Sequence, residues 1–166
     1  MKKIRFGIIG AGLMGREFAS AAARWCHLMD IAARPEIVAV CDRNPEVLGW
    51  YKKNFEAVRQ YTDDYRQLLA NPEVEAVYCA VPHNLHAEIY CAVMNAGKHL
   101  MGEKPFGIDK QACDEIMACV KKHPELLVRC SSESVFFPAM QMIFGMIEGG
   151  KFGQIIEANT GFLHSS

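Results

Sequence analysis

Ile4-Arg5-Phe6-Gly7-Ile8-Ile9-Gly10-Ala11-Gly12-Leu13-Met14-Gly15 is the stretch that decides the fold. Its apolar run up to Ile9 reads as a buried strand, and the alanine-rich sequence over 13–29 reads as a helix. Between them the glycines recur as Gly10-x-Gly12-x-x-Gly15. In a strand-turn-helix setting the first glycine permits the tight turn and the second lets backbone N–H groups approach a pyrophosphate. The third lets the helix pack closely on the strand. The N-terminal end of the helix adds the positive end of its dipole. Gly10, Gly12, Leu13, Met14 and Gly15 are therefore candidate ligands of a dinucleotide.

Working outward, apolar segments alternate with helix-period segments. Strands are expected over 3–9, 36–41, 58–61, 74–81, 99–102 and 126–130. Helices are expected over 13–29, 45–54, 84–95 and from Asp109 to Lys122, with a short helix capped by Thr62 or Asp63 and ended near Asn71-Pro72. Residues 74–81 are apolar apart from Glu75, as a parallel strand covered on both faces requires. Strands separated by helices imply right-handed crossovers and an α/β doubly wound parallel sheet, a Rossmann domain over 1–130. Residues 131–166 read differently: a connecting helix over 138–148, stopped by Gly149-Gly150, and then an alternating strand over 154–162 that begins a second domain.

Composition narrows the function classes. The chain has 166 residues, 51 % of them hydrophobic, and a formal net charge of −1 from 18 basic and 19 acidic residues. Charges so balanced and dispersed argue against nucleic acid and against an anionic membrane surface. The N-terminal apolar stretch is broken at Gly10, too soon for a signal peptide, and no run approaches the roughly 18 apolar residues of a membrane span. A cytoplasmic protein acting on a small molecule is expected. The seven cysteines are odd in number and lack a C-x-x-C pair, which reads as buried reduced thiols rather than a disulfide or zinc framework.

Three further segments carry chemistry. Asp42 ends the second strand, where a carboxylate accepts hydrogen bonds from the adenosine ribose hydroxyls and repels a 2′-phosphate, favouring NAD. Arg43 beside it can stack on adenine or bind that phosphate, which leaves NADP open. Val81-Pro82-His83-Asn84-Leu85-His86 follows the fourth strand at the ligand-binding edge. Pro82 and Asn84 are expected to shape the wall beside the nicotinamide ribose. His83 and His86 have the i, i+3 spacing of a metal pair, but with no third ligand they read as turn and capping residues, so no metal is expected. Glu103-Lys104-Pro105 places an amine at the end of the fifth strand, where it can donate to a substrate hydroxyl or carbonyl oxygen.

This ordered set, with Gly97-Lys98-His99-Leu100-Met101-Gly102 leading into Glu103-Lys104-Pro105, resembles the glucose-fructose oxidoreductase and inositol dehydrogenase (Gfo/Idh/MocA) family. The likeness runs over about 4–156. It implies hydride transfer between NAD(P) and a sugar, cyclitol or related hydroxyl or carbonyl substrate. Lys104 would be the catalytic residue, Glu103 and Pro105 its frame, and Val81, Pro82, His83, His86, Glu103 and Lys104 part of the cofactor site. It also implies a C-terminal α/β domain with an open, mostly antiparallel sheet that usually mediates homo-oligomers. Relatives have an arginine where Phe136 or Phe137 stands here, and the Asp and His they take from the second domain lie beyond Ser166; His164 falls on the expected strand instead. By this resemblance the chain is a truncated enzyme. Two other readings stay open: a non-catalytic dinucleotide-binding module or subunit, and a reductase of a biliverdin- or imine-type substrate.

Overall fold

Residues 1–161 are described by the structure, a computed structural model. The first strand, β1 (Lys2–Ile9), is followed by α1 (Leu13–Ala23), β2 (Ala33–Cys41), α2 (Leu48–Asn54), β3 (Gln60–Thr62) and α3 (Tyr65–Leu69). The second half continues with β4 (Ala76–Cys79), α4 (His86–Asn95), β5 (His99–Glu103), α5 (Lys110–Lys122) and β6 (Val128–Ser131). The strands form one sheet in the order β3-β2-β1-β4-β5-β6, with every pairing parallel. This is the doubly wound Rossmann order, in which the sequence order of the strands reverses between β1 and β4.

The period-2 pattern of the strands sorts the core onto two faces. Ile9, Val38, Val77 and Cys79 join Ile89, Tyr90 and Val93 of α4 and Ile116 of α5 on one face. Ile8, Ile37, Val40 and Tyr78 join Ala19 of α1 and Leu48 and Tyr51 of α2 on the other. Phe18 of α1 stacks on Tyr78, with ring centroids 4.2 Å apart. The β1–β2 pairing shifts register between Phe6↔Ile37 and Gly7↔Ala39, leaving Val38 of β2 without a partner in β1. A Cβ on Gly7 would lie 2.7 Å from Leu68 Cδ2, so a side chain there would displace Leu68.

Several elements are shorter than their patterns suggest. The first helix ends at Ala23 and gives way to a 3-10 turn over Arg24–His27. The 45–54 helix begins as a 3-10 turn over Pro45–Val47, whose N-cap Asn44 accepts from the Glu46 N–H. The cap of α3 is Asp64, which accepts from the Arg66 N–H; Thr62 instead ends β3. Asp109 caps α5 as expected, accepting from the Ala112 N–H at 2.8 Å. The cysteines are all free, but only Cys41, Cys79 and Cys119 are buried, and Cys26 is exposed at the helix end.

By its internal contacts the chain divides into two units, Met1–Ser131 and the segment from Ser132 onward. The second carries a 3-10 turn over Ser134–Phe136 and then α6 (Pro138–Glu148), which has no buried residue. The strand expected over 154–162 does not form in its described part: residues 155–161 have no regular structure, and Phe162 and His164 lie outside the described residues. The alternation there has no neighbouring strand among the described residues to complete its backbone hydrogen bonds, and an isolated strand has little stability. No helix among the described residues is long and apolar enough to cross a membrane.

Candidate functional site

The glycine turn is built by contacts that exclude side chains. Gly10 has φ +93°, and a Cβ there would sit 2.4 Å from the Ala80 carbonyl oxygen. Its N–H donates to the Cys41 carbonyl at 2.9 Å, tying the turn to the end of β2. A Cβ on Gly15 would lie 2.3 Å from the Gly10 carbonyl oxygen, so the third glycine sets how closely α1 approaches the turn. Gly12 is different: nothing lies within 4 Å of its Cβ position. As the N-cap of α1 it brings no side-chain cap, and the first intrahelical donor is the Arg16 N–H, bonded to the Gly12 carbonyl at 3.1 Å. The N–H groups of Leu13, Met14 and Gly15 thus belong to the unsatisfied first turn of a helix. An open approach over Gly12 to such donors fits the pyrophosphate of a dinucleotide.

Asp42 is held at the end of β2. Its Oδ2 accepts from the Ala11 N–H at 2.7 Å and its Oδ1 from the Asn44 N–H at 2.8 Å. Its own N–H donates to the Thr62 carbonyl at 3.1 Å, which draws β3 alongside. The carboxylate thereby braces the glycine turn and faces the cleft beside it with its remaining lone pairs.

That cleft encloses about 510 Å³ and opens where the strand order reverses. It is lined by Gly10, Gly12, Asp42, Arg43, Val81 and Pro82, all read from the sequence. The strand-end residues Ile9, Cys41 and Ala80 also line it, and sequence reasoning misses Asp63, Asp64, Tyr65, Arg66, Leu85 and Ile89. The 63–66 acids and arginine carry no spacing signal; they reach the cleft because β3 pairs with β2 and delivers its following loop there. Leu85 at the end of the 3-10 turn and Ile89 of α4 stand four residues apart, and that helical spacing is the signal that could have found them.

The fifth strand ends in a buried polar cluster. The Glu103 carboxylate, 7 % exposed, accepts from the Tyr78 hydroxyl at 2.6 Å through Oε1 and from the Lys104 N–H at 3.2 Å through Oε2. The Tyr90 hydroxyl donates to the Glu103 carbonyl at 2.8 Å. Burial, followed by the bond to Glu103, pushes the Tyr78 phenol up from its ordinary range, and burial does the same for Tyr90. Both remain neutral donors. Gly102 gives the Tyr90 ring its room, since a Cβ there would meet Cζ at 2.4 Å. The Lys104-Pro105 peptide is cis, and Lys104 is exposed just past the strand.

The histidines separate. His83 is exposed and opens the 3-10 turn over His83–Leu85, whereas His86, the first residue of α4, is fully buried. Its Nδ1 lies 2.8 Å from the Pro105 carbonyl and its Nε2 3.1 Å from the Val81 carbonyl. Glu103 and His86 therefore sit beneath the edge that Val81, Pro82 and Lys104 present. No group of three His, Cys, Asp or Glu side chains able to hold a metal occurs among the described residues.

The chain is similar in sequence and fold to known proteins. Residues 4–129 match the GFO_IDH_MocA model, described as an oxidoreductase family with an NAD-binding Rossmann fold. The chain is 31 % identical over 162 residues to the 1-carboxy-3-chloro-3,4-dihydroxycyclo hexa-1,5-diene dehydrogenase of Comamonas testosteroni, covering 98 % of this chain and 37 % of that protein. It is 29 % identical over 165 residues to the levoglucosan dehydrogenase of Pseudarthrobacter phenanthrenivorans, covering 98 % and 42 %. The crystal structure of scyllo-inositol dehydrogenase from Lactobacillus casei, with bound NAD(H) and scyllo-inositol, superposes with a TM-score of 0.77 at 26 % identity. That match covers 92 % of this chain and 43 % of the other. The chain thus spans less than half the length of these relatives. Its glycine turn, strand order and matched sequence place it in the GFO_IDH_MocA oxidoreductase family, of which it forms the NAD-binding Rossmann domain.

Proposed function

We propose that this chain binds NAD(H) in the cleft at the strand-order reversal. In a polypeptide with the full extent of its relatives, it would serve hydride transfer between nicotinamide and a sugar, cyclitol or related polyol substrate. The observation that carries the reading is the joint placement of an open glycine turn after β1 and an exposed lysine after β5. NAD, when bound, supplies the hydride acceptor. The N–H groups of Leu13 and Met14 hold the pyrophosphate, Asp42 accepts from the ribose hydroxyls, and Val81 and Pro82 border the nicotinamide side. Lys104 donates to, or takes a proton from, the substrate oxygen.

Asp63 beside Asp42 adds negative charge to the adenosine end, which supports NAD over NADP, while Asp64 there is paired with Arg66. The levoglucosan and scyllo-inositol dehydrogenases among the relatives support a polyol or sugar as substrate class. The homo-oligomer implied by the family resemblance belongs to this reading for a polypeptide with the full extent of its relatives.

Thermal-shift titration with NADH and NADPH tests the cofactor assignment. Ligand that binds only the folded state stabilises it by about 2.7 kcal/mol at a hundredfold excess over Kd. A shift with NADH that exceeds the shift with NADPH is expected; no shift with either sinks the assignment. For the chemistry, Lys104→Met in a polypeptide carrying the substrate half is expected to lower kcat strongly while NADH affinity holds, as for a group acting in the transition state. An unchanged kcat would return Lys104 to the surface.

A further inference from the structure

The buried imidazole of His86 has no free polar atom for a ligand, yet it spans two loops that the proposed site needs. One ring nitrogen faces the carbonyl of Val81 on the segment after β4, and the other faces the carbonyl of Pro105 on the segment after β5. These segments follow adjacent parallel strands, paired from Ala76↔His99 to Cys79↔Gly102. Beyond Cys79↔Gly102 the ladder no longer holds them together, and the His86 side chain touches both. Its ring stacks on Tyr90, with centroids 4.7 Å apart and planes 22° apart, and the Tyr90 hydroxyl bonds the Glu103 carbonyl.

We propose that His86 is a positioning residue: its ring clasps the Val81-Pro82 wall to the Lys104-Pro105 turn and so sets the spacing of the nicotinamide end of the cleft. Each ring nitrogen that carries a hydrogen donates to the carbonyl it faces. The ring lies between the two segments, one ring width apart. Loss of the ring nitrogens removes the donor that these carbonyls face in a buried place, where an unmade hydrogen bond is costly, and the two segments move apart to reach water. The adenosine end, held by Asp42 and the glycine turn, has no part in the clasp.

This inference rests on the NAD(H) reading above, and its test separates the two. His86→Phe keeps a ring to stack on Tyr90 and removes both nitrogens, while His86→Asn retains a donor near the Nδ1 position. Affinities of the 166-residue chain are measured for NADH and for ADP-ribose, which lacks nicotinamide, and amide NMR signals of Val81 and Lys104 are followed without ligand. The clasp requires that His86→Phe weaken NADH about fivefold or more, the equivalent of about one hydrogen bond, while ADP-ribose affinity is kept. It also requires that the Val81 and Lys104 signals shift and that His86→Asn recover part of both effects. If His86→Phe does not fold, the NADH-to-ADP-ribose ratio of His86→Asn and His86→Gln carries the test, each retaining one of the two links. Equal weakening of both ligands, or unchanged NADH affinity with unmoved amide signals, overturns the clasp and leaves the NAD(H) reading intact. Failure of the unaltered chain to bind either ligand overturns both.

Discussion

The Tyr78 hydroxyl on β4 donates to Glu103 Oε1 at the end of β5 over 2.6 Å, inside the protein. The bond joins two side chains 25 residues apart and fixes the carboxylate that also receives the Lys104 N–H. Tyr78→Phe keeps the ring that stacks on Phe18 and deletes only the donor. We expect it to cost about 1–3 kcal/mol, the range for leaving a buried acceptor short of a partner, read as a lower midpoint in urea unfolding. An unchanged midpoint would show that Glu103 finds a replacement donor.

Asp42 has two duties that can be told apart. As a brace it accepts from Ala11 and Asn44, so Asp42→Ala should lower stability by about 1–3 kcal/mol. As the ribose acceptor it should contribute to NADH affinity and to rejection of NADPH. Calorimetric titration of Asp42→Ala is expected to show weaker NADH binding and a smaller preference over NADPH. A preference that stays the same would confine Asp42 to bracing the turn.

The glycines of the turn divide the same way. Gly12 has open space at its Cβ position, so Gly12→Val should change stability by only about 1 kcal/mol while blocking the pyrophosphate and abolishing NADH binding. Gly15 has the Gly10 carbonyl 2.3 Å from its Cβ position and the buried Tyr51 hydroxyl 2.8 Å away. Gly15→Ala must push α1 off the turn, and a loss of about 1–3 kcal/mol or more is expected from such overpacking. Thermal melts with and without NADH distinguish the two; a Gly12→Val chain that still binds NADH would refute the assignment of the turn.

Alkaline conditions should weaken the fold. Burial, with Asp42 and other acids adding to it at Cys41, pushes the thiols of Cys41 and Cys79 from 9.0 up to about 12. In the unfolded chain these thiols ionise near 9, so the unfolded state binds fewer protons above that pH. The contribution is fully present below about pH 9 and is lost as pH climbs toward 12, by up to about 1.4 kcal/mol per pH unit for each thiol. Denaturation midpoints that stay flat from pH 8 to alkaline conditions would contradict this. A thiol reagent at neutral pH should label exposed Cys26 and spare Cys41 and Cys79 while the chain is folded.

The sequence by itself determined the Rossmann class, the glycine turn, the Asp109 cap and the strand-end positions of Asp42 and Lys104. Those signals are local: the side-chain period of two or 3.6, the steric freedom of glycine at φ +93°, and a carboxylate within reach of an N–H three residues on. Tertiary structure alone decided the rest. Asp63 to Arg66 joined the cleft only because β3 pairs on the outer side of β2, and strand order is not written in any one segment. The same holds for His86 and Glu103, whose burial depends on Tyr78, Tyr90, Val81 and Pro105 arriving from other elements in one register. The alternation after Gly153 shows the converse. A strand pattern becomes a strand only when a neighbour completes its backbone hydrogen bonds, and no neighbour pairs with residues 155–161 among the described residues.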